Sequence, residues 1–174
     1  GSMNVAMGHQ TLYANTTGSY NVAVGVYALD ANTIGEKNTG FGHGVLSDNT
    51  EGNYNCAIGE NCLGDNTTGD NNVAMGMDAL RLNSTGVGNV AVGNYALDAN
   101  TTANYNTALG YGALSTNTTA TGSVGVGYYV LVSNTTGANN TAVGYEALEQ
   151  NTTGVENTAV GIQALDSNTT ASYN

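Results

Sequence analysis

The chain contains no proline and no tryptophan, one phenylalanine, two cysteines, and two basic residues against thirteen acidic ones. With so few large side chains, and with alanine supplying much of the 40% hydrophobic share, a large globular core is excluded. The shortage of Lys and Arg leaves a formal charge of −11. That charge repels phosphate backbones and anionic membrane surfaces, so nucleic acid is not an expected partner. No apolar run is long enough to insert into a bilayer. Cys56 and Cys62 are too few for a disulfide framework. They stand where related segments of the chain carry Val, Thr or Ala, and read as small buried fillers rather than a redox or metal pair.

What the chain does have is a unit. Asn140 to Glu156, NTAVGYEALEQNTTGVE, recurs every 17 residues from Asn4, beginning again at Asn21, Asn38, Asn55, Asn72, Asn89, Asn106, Ser123, Asn140 and Asn157 with no insertion or deletion. A fixed short period is the mark of a solenoid, in which each unit packs only against its neighbours. Strict apolar positions set it apart from a disordered tract of similar composition. Gly1, Ser2 and Met3 read as an expression scar. Residues 4–174 read as one repeat domain, a fragment of a longer fibre protein.

Numbering each unit from its leading Asn separates tolerant positions from fixed ones. Position 5 is Gly in every copy, including Gly25 and Gly93, which demands either a positive φ or a backbone approach too close for a Cβ. Position 15 alternates between Gly and Ala, as at Ala103, and needs only smallness. Position 9 is always leucine: Leu12, Leu29, Leu46, Leu63, Leu80, Leu97, Leu114, Leu131, Leu148 and Leu165. Position 12 is always Asn, as in Asn100 and Asn151. Asn suits a left-handed turn there, and stacked copies can pass amide hydrogen bonds along an array.

Positions 1 to 5 alternate with period two and are rich in β-branched residues, which predicts a short strand. One face carries positions 2 and 4; the other carries Asn, Ala and Gly. Neither is charged, so the strand reads as buried on both sides, inside its own coil and against something close. Position 4 varies in shape but stays apolar, the behaviour expected of a core site. Positions 6 to 11 fit either a single helical turn or a second strand with an Asn-based turn. The expected fold is an all-β parallel β-solenoid of ten coils, a rod on the order of 48 Å long at about 4.8 Å per coil.

Ten near-identical copies argue against a catalytic centre, which needs unlike residues converging once. No catalytic, cofactor-binding or metal-binding residue is expected. His9 and His43 share position 6 two coils apart and read as surface filler. Acidic residues at positions 10 and 11 (Asp30, Asp48, Asp65, Asp98, Glu149, Asp166) lack calcium-loop spacing and read as solubilising. Tyr27, Tyr95, Tyr128, Tyr129 and Tyr145 fall at variable positions and are the candidate surface contacts, amphipathic rings able to pack on glycans. The N-T-T triplets match glycosylation acceptors, yet their turn and ladder role accounts for them. Adjacent threonines at positions 13 and 14 would point to opposite faces and not build a two-column ice-binding plane.

The heads YNVAVG, GNVAVG, NNTAVG and ENTAVG resemble the N-x-V-A-I-G-like head repeat of trimeric autotransporter adhesins. The whole unit also resembles the NTA-x-G-x-x-AL-x-x-NTTG arrays of phage and bacterial tail-fibre-type proteins. The resemblance spans Asn4 to Asn174, although the AL-x-x-NTTG half has no match in the shorter adhesin repeat. It implies a left-handed parallel β-roll and three chains around a common axis, with Ala and Gly allowing their close approach. Together with the doubly buried strand, it makes a homotrimer the expected assembly. The function so implied is a non-enzymatic structural or adhesive fibre segment, extracellular, on a bacterial surface or virion, with a cell-surface glycan or receptor as its outside partner. A monomeric solenoid binding glycans or ice is the second reading.

Overall fold

The computed structural model describes residues 1–174 as a parallel β-solenoid without helix. Ten three-residue strands form one sheet in chain order: β1 (Val5–Met7), β2 (Val22–Val24), β3 (Thr39–Phe41), β4 (Cys56–Ile58), β5 (Val73–Met75), β6 (Val90–Val92), β7 (Thr107–Leu109), β8 (Val124–Val126), β9 (Thr141–Val143) and β10 (Thr158–Val160). Every neighbouring pair is parallel and in register by one unit, as in Ala74 against Ala91. Equivalent residues therefore stack in columns along the rod. Gly1, Ser2 and Met3 follow the same path, with the Tyr20 amide donating to the Ser2 carbonyl as Lys37 does to Ser19.

The strands hold the stack together only in part. Of 111 backbone hydrogen bonds, 93 lie outside the strand triplets, and most of them join a coil to the next. Gly93 and Tyr95 donate back to Met75 and Met77, while Leu97 and Ala99 donate forward to Ala113 and Ser115. Each coil is thus tied to both neighbours around its circumference.

Positions 6 to 11 are neither helix nor strand. Positions 7 and 9 take the left-handed conformation in every coil, with the ten leucines at φ of 50 to 55°. A strand would send positions 8 and 9 to opposite sides, whereas Ala96 and Leu97 are both completely buried. The left-handed turn brings two adjacent side chains inward and frees the amides for neighbouring coils. A leucine held there costs roughly 1–2 kcal/mol. Full burial of its side chain, about 1.5–3 kcal/mol, offsets that cost. Asn at position 12 does not use the left-handed region; position 17 does, as at Tyr105 and Asn139.

The core also inverts the faces expected for the strand. Position 3 points inward, with Ala23, Ala57, Ala91 and Ala108 fully buried against the position 8 and 9 columns. Position 4 lies outside: Phe41 is 41% exposed and Met75 46%. Packing one side against a leucine column leaves depth only for a methyl group. The eight inner leucines from Leu29 to Leu148 are sealed, whereas Leu12 is half-buried and Leu165 exposed in the end coils, which have one neighbour each.

Position 3 becomes glycine only at Gly40 and Gly125, and those two coils alone carry valine at position 8, Val45 and Val130. A Cβ on either glycine would lie 3.1 Å from the valine Cγ1. The swap conserves the volume of a thin core.

Both requirements foreseen for position 5 hold together: φ runs from 131 to 144°, and, except in the last coil, an added Cβ would overlap the backbone of the next coil's glycine. Gly93→Val is therefore expected to cost about 3 kcal/mol or more. Ala103→Gly should stay within about 1 kcal/mol, as it restores the commoner residue. Comparable melting temperatures for these two variants would contradict this account. Gly40→Ala should cost about 1–2 kcal/mol alone and be largely rescued by Val45→Ala, a coupling measurable by a double-mutant cycle in urea.

Candidate functional surfaces

Two asparagine columns set the rigidity on which any surface depends. At position 12 each side-chain amide donates to the previous coil's Asn: Asn32 to Asn15 (2.8 Å), Asn49 to Asn32 (2.8 Å), and so on to Asn168. The same amide also donates to the position 15 carbonyl, as Asn32 does to Gly35 (3.0 Å). At position 1 the side-chain oxygen accepts the next coil's backbone amide, and the side-chain nitrogen reaches that same position 15 carbonyl (Asn21 to Gly35, 2.9 Å). Sixteen asparagines are buried this way with partners, which spares the penalty of unpaired amides. Where Ser123 replaces Asn in the position 1 column, Asn140 donates to both Gly137 and Gly154 and fills the vacancy.

Position 15 is crowded. An added Cβ would press on the column amides and the next carbonyl, and the column bonds flanking Ala103 and Ala120, Asn117 to Asn100 and Asn134 to Asn117, are both 3.2 Å long. The inner position 12 residues of the N-T-T triplets are buried with their amide nitrogens engaged, so a folded coil does not present them as glycan acceptors. Thr at position 13 bonds its hydroxyl to the next coil, as Thr33 does to Thr50, while position 14 is exposed in every coil. The threonines form one outward column rather than two.

One continuous surface is the outer face of the sheet. Positions 2 and 4 of all ten coils lie on it, and none of the twenty residues is charged. Val5, Met7, Phe41, Ile58, Val73, Met75, Leu109, Val143 and Val160 are among its exposed members. An exposed apolar stripe of this length is a candidate interaction surface.

A second surface is aromatic. Tyr111, Tyr128 and Tyr145 stack at position 6 of successive coils, with centroids 5.7 and 5.3 Å apart and rings within 16° of parallel. Tyr95 and Tyr129 meet this stack edge-on. Sequence reasoning missed Tyr111, although reading down the position 6 column reveals it. Both faces of Tyr128 are taken by its neighbours, so the ladder presents ring edges and hydroxyls outward. Tyr129 beside Tyr111, and Glu146 beside Tyr145, raise those phenols above their ordinary range. Tyr27 stands apart, with His9 and His43 edge-on to its ring at 5.7 and 6.0 Å.

The acidic residues do not form one continuous stripe. Arg81 interrupts them, its Nε 3.2 Å from Asp98 and 3.8 Å from Asp78. Burial raises the carboxyls of Asp30, Asp65 and Asp98; Asp48 adds to the first two, and Arg81 opposes the last two. Tyr54 holds the Lys37 ammonium by a hydrogen bond of 2.8 Å and raises it. Cys56 and Cys62 are both free. Cys62 fills a buried position 8 and its thiol is pushed up to about 12, chiefly by burial, whereas Cys56 sits half-buried at position 2 of the outer face. No three His, Cys, Asp or Glu side chains converge, and no pocket indents the rod.

The fold defines the class: a parallel β-solenoid with one-coil periodicity and an apolar outer face. No protein-family model, curated protein or solved structure matches the chain.

One oxygen of Asp30 is sealed without a hydrogen-bond partner. Its raised folded value means that the native state binds a proton more tightly than the unfolded chain. The stability gained is full below the ordinary carboxylate range and is lost as pH rises through the folded value. Asp30→Asn is expected to raise the melting temperature near pH 7 and to flatten its increase on acidification toward about pH 4. Thermal unfolding across that range checks both.

Proposed function

We propose that this chain is a structural and adhesive segment of a homotrimeric extracellular fibre on a bacterial surface or virion, without catalytic work. The observation that supports the reading best is the outer sheet face. A chain of net charge −11 keeps every charge off a stripe that spans all ten coils, although its residues are exposed or half-buried in the single chain. Copies that turn this face to a common axis bury apolar surface and direct their carboxylates outward. The monomeric reading leaves the stripe bare.

The assembly differs from the one implied by the resemblance in which residues approach. Ala and Gly of position 3 belong to each chain's own core, and the β-branched and larger residues of positions 2 and 4 meet the neighbours. Such a rod gives reach with stiffness, set by ladders on every side of the coil. Its repeated exposed positions offer many equivalent weak contacts, which multiply into avidity when fibres are displayed in numbers. A cell-surface glycan or receptor would meet the hydroxyls and edges of the tyrosine ladder and the exposed threonine column.

Val92→Asp places a carboxylate on the outer face, away from the coil's own core. It is expected to leave the far-ultraviolet circular dichroism unchanged and to reduce the mass in solution from three chains to one. Light scattering behind a sizing column reads the result. A single-chain mass for the unaltered protein would overturn the trimer.

A further inference from the structure

We propose that the tyrosine ladder is an oxidative cross-linking site, at which Tyr128 and Tyr145 couple ring to ring as dityrosine and staple coils eight and nine of one chain. The oxidant is hydrogen peroxide turned over by a haem peroxidase. The link lies within a chain, so it is independent of the number of chains in the assembly.

Eleven tyrosines are spread along the chain, yet only five touch another tyrosine ring, and all five belong to coils six to nine. Tyr27 meets histidines and Tyr54 meets Lys37 instead. Tyr128 and Tyr145 are the closer and more nearly parallel of the two stacked pairs, with centroids 5.3 Å apart and planes 8° from parallel. They are 42 and 47% exposed, and the ring carbons that flank each phenol oxygen lie at the outward end of the ladder. Tyr129 is held half-buried over Gly112, edge-on to Tyr111 and Tyr128, so its ring is not free to turn toward either.

The surroundings keep an oxidation on these rings. Coils six to nine contain no Cys, Met, His or Trp, the side chains that would otherwise compete for the oxidant. Tyr95 against Tyr111 and Tyr111 against Tyr128, each pair at 5.7 Å, extend the contact, so a radical formed on any of them passes ring to ring to the stacked pair. Glu146 lies beside the Tyr145 phenol and is itself held by the Gln163 amide at 3.0 Å, a carboxylate placed to take the phenolic proton as the electron leaves.

Each phenol gives up one electron and its O–H proton and becomes a phenoxyl radical. Stacked position 6 side chains start about 4.8 Å apart, and rotation about their exposed χ angles brings the coupling carbons together. A carbon–carbon bond forms between the ring carbons ortho to the two oxygens. Each of those carbons then loses its hydrogen as a proton and each oxygen regains one, which restores both aromatic rings. Two hydrogens leave the chain, and one hydrogen peroxide is reduced to two waters. The bond closes a loop one repeat long and constrains the unfolded chain as a disulfide would, in a protein whose two cysteines are free.

The full chain treated with a haem peroxidase and limiting hydrogen peroxide tests the site. Expected are dityrosine fluorescence, a product that still runs as one chain on a denaturing gel, and a peptide digest in which the Tyr128 and Tyr145 peptides are joined with the loss of two hydrogens. The oxidised chain should melt at a higher temperature than the untreated one. Tyr128→Phe removes both stacked pairs and leaves Tyr111 and Tyr145 two coils, roughly 10 Å, apart, so the fluorescence should be lost. Tyr105→Phe, outside the ladder at a more exposed site (67%), should keep it. Both replacements fall at positions that other coils fill with unrelated side chains, and far-ultraviolet circular dichroism checks that they fold. Full fluorescence from Tyr128→Phe, a principal link mapped to any other pair, or a product of two- or three-chain mass in place of the one-chain product overturns the site. So does the absence of any dityrosine.

Discussion

The structure depends on one constraint, the exact repetition of backbone hydrogen bonds from coil to coil at a 17-residue offset. Because donors point to both neighbours, no coil is complete alone. A chain with so few large side chains cannot rely on core volume. Here a thin core of Ala and Leu serves because the bonds around each coil hold the stack. Glycine at position 5 follows from that constraint. Its φ near 139° and the adjoining glycine backbone leave no room for a side chain.

The buried asparagines extend the same logic to side chains. An amide carries two donors and an acceptor, so a column of identical amides can satisfy itself by translation, each passing a bond to the next. Interior asparagine would ordinarily be costly. In the solenoid the neighbour needed by each Asn is another Asn, supplied by the repeat. Both columns converge on the position 15 carbonyl, which couples the tight turn to the ladder.

Rigidity inside permits variation outside. Positions 6, 7, 10, 11, 16 and 17 carry tyrosines, acids, histidines and the two cations without disturbing the path of the chain. The outer sheet face varies in shape but never in polarity class beyond threonine and cysteine. That restriction is not required by the coil's own packing. It is the feature on which the proposed assembly of several chains rests.

The sequence by itself determined the period, the ten coils, the strand at the head of each unit, the parallel stacking and the special status of glycine at position 5. These are legible because translation imposes the same demand ten times, and only residues that meet it recur. The link between Gly40 and Val45, and between Gly125 and Val130, was also written there, as was the Tyr111 column. Only the tertiary structure decided which strand face lies inside. Two alternating columns of uncharged residues look alike until the leucine column is placed against one of them. It also decided that leucine, not asparagine, takes the left-handed turn, because burying positions 8 and 9 together is a requirement of the closed coil and not of any local propensity.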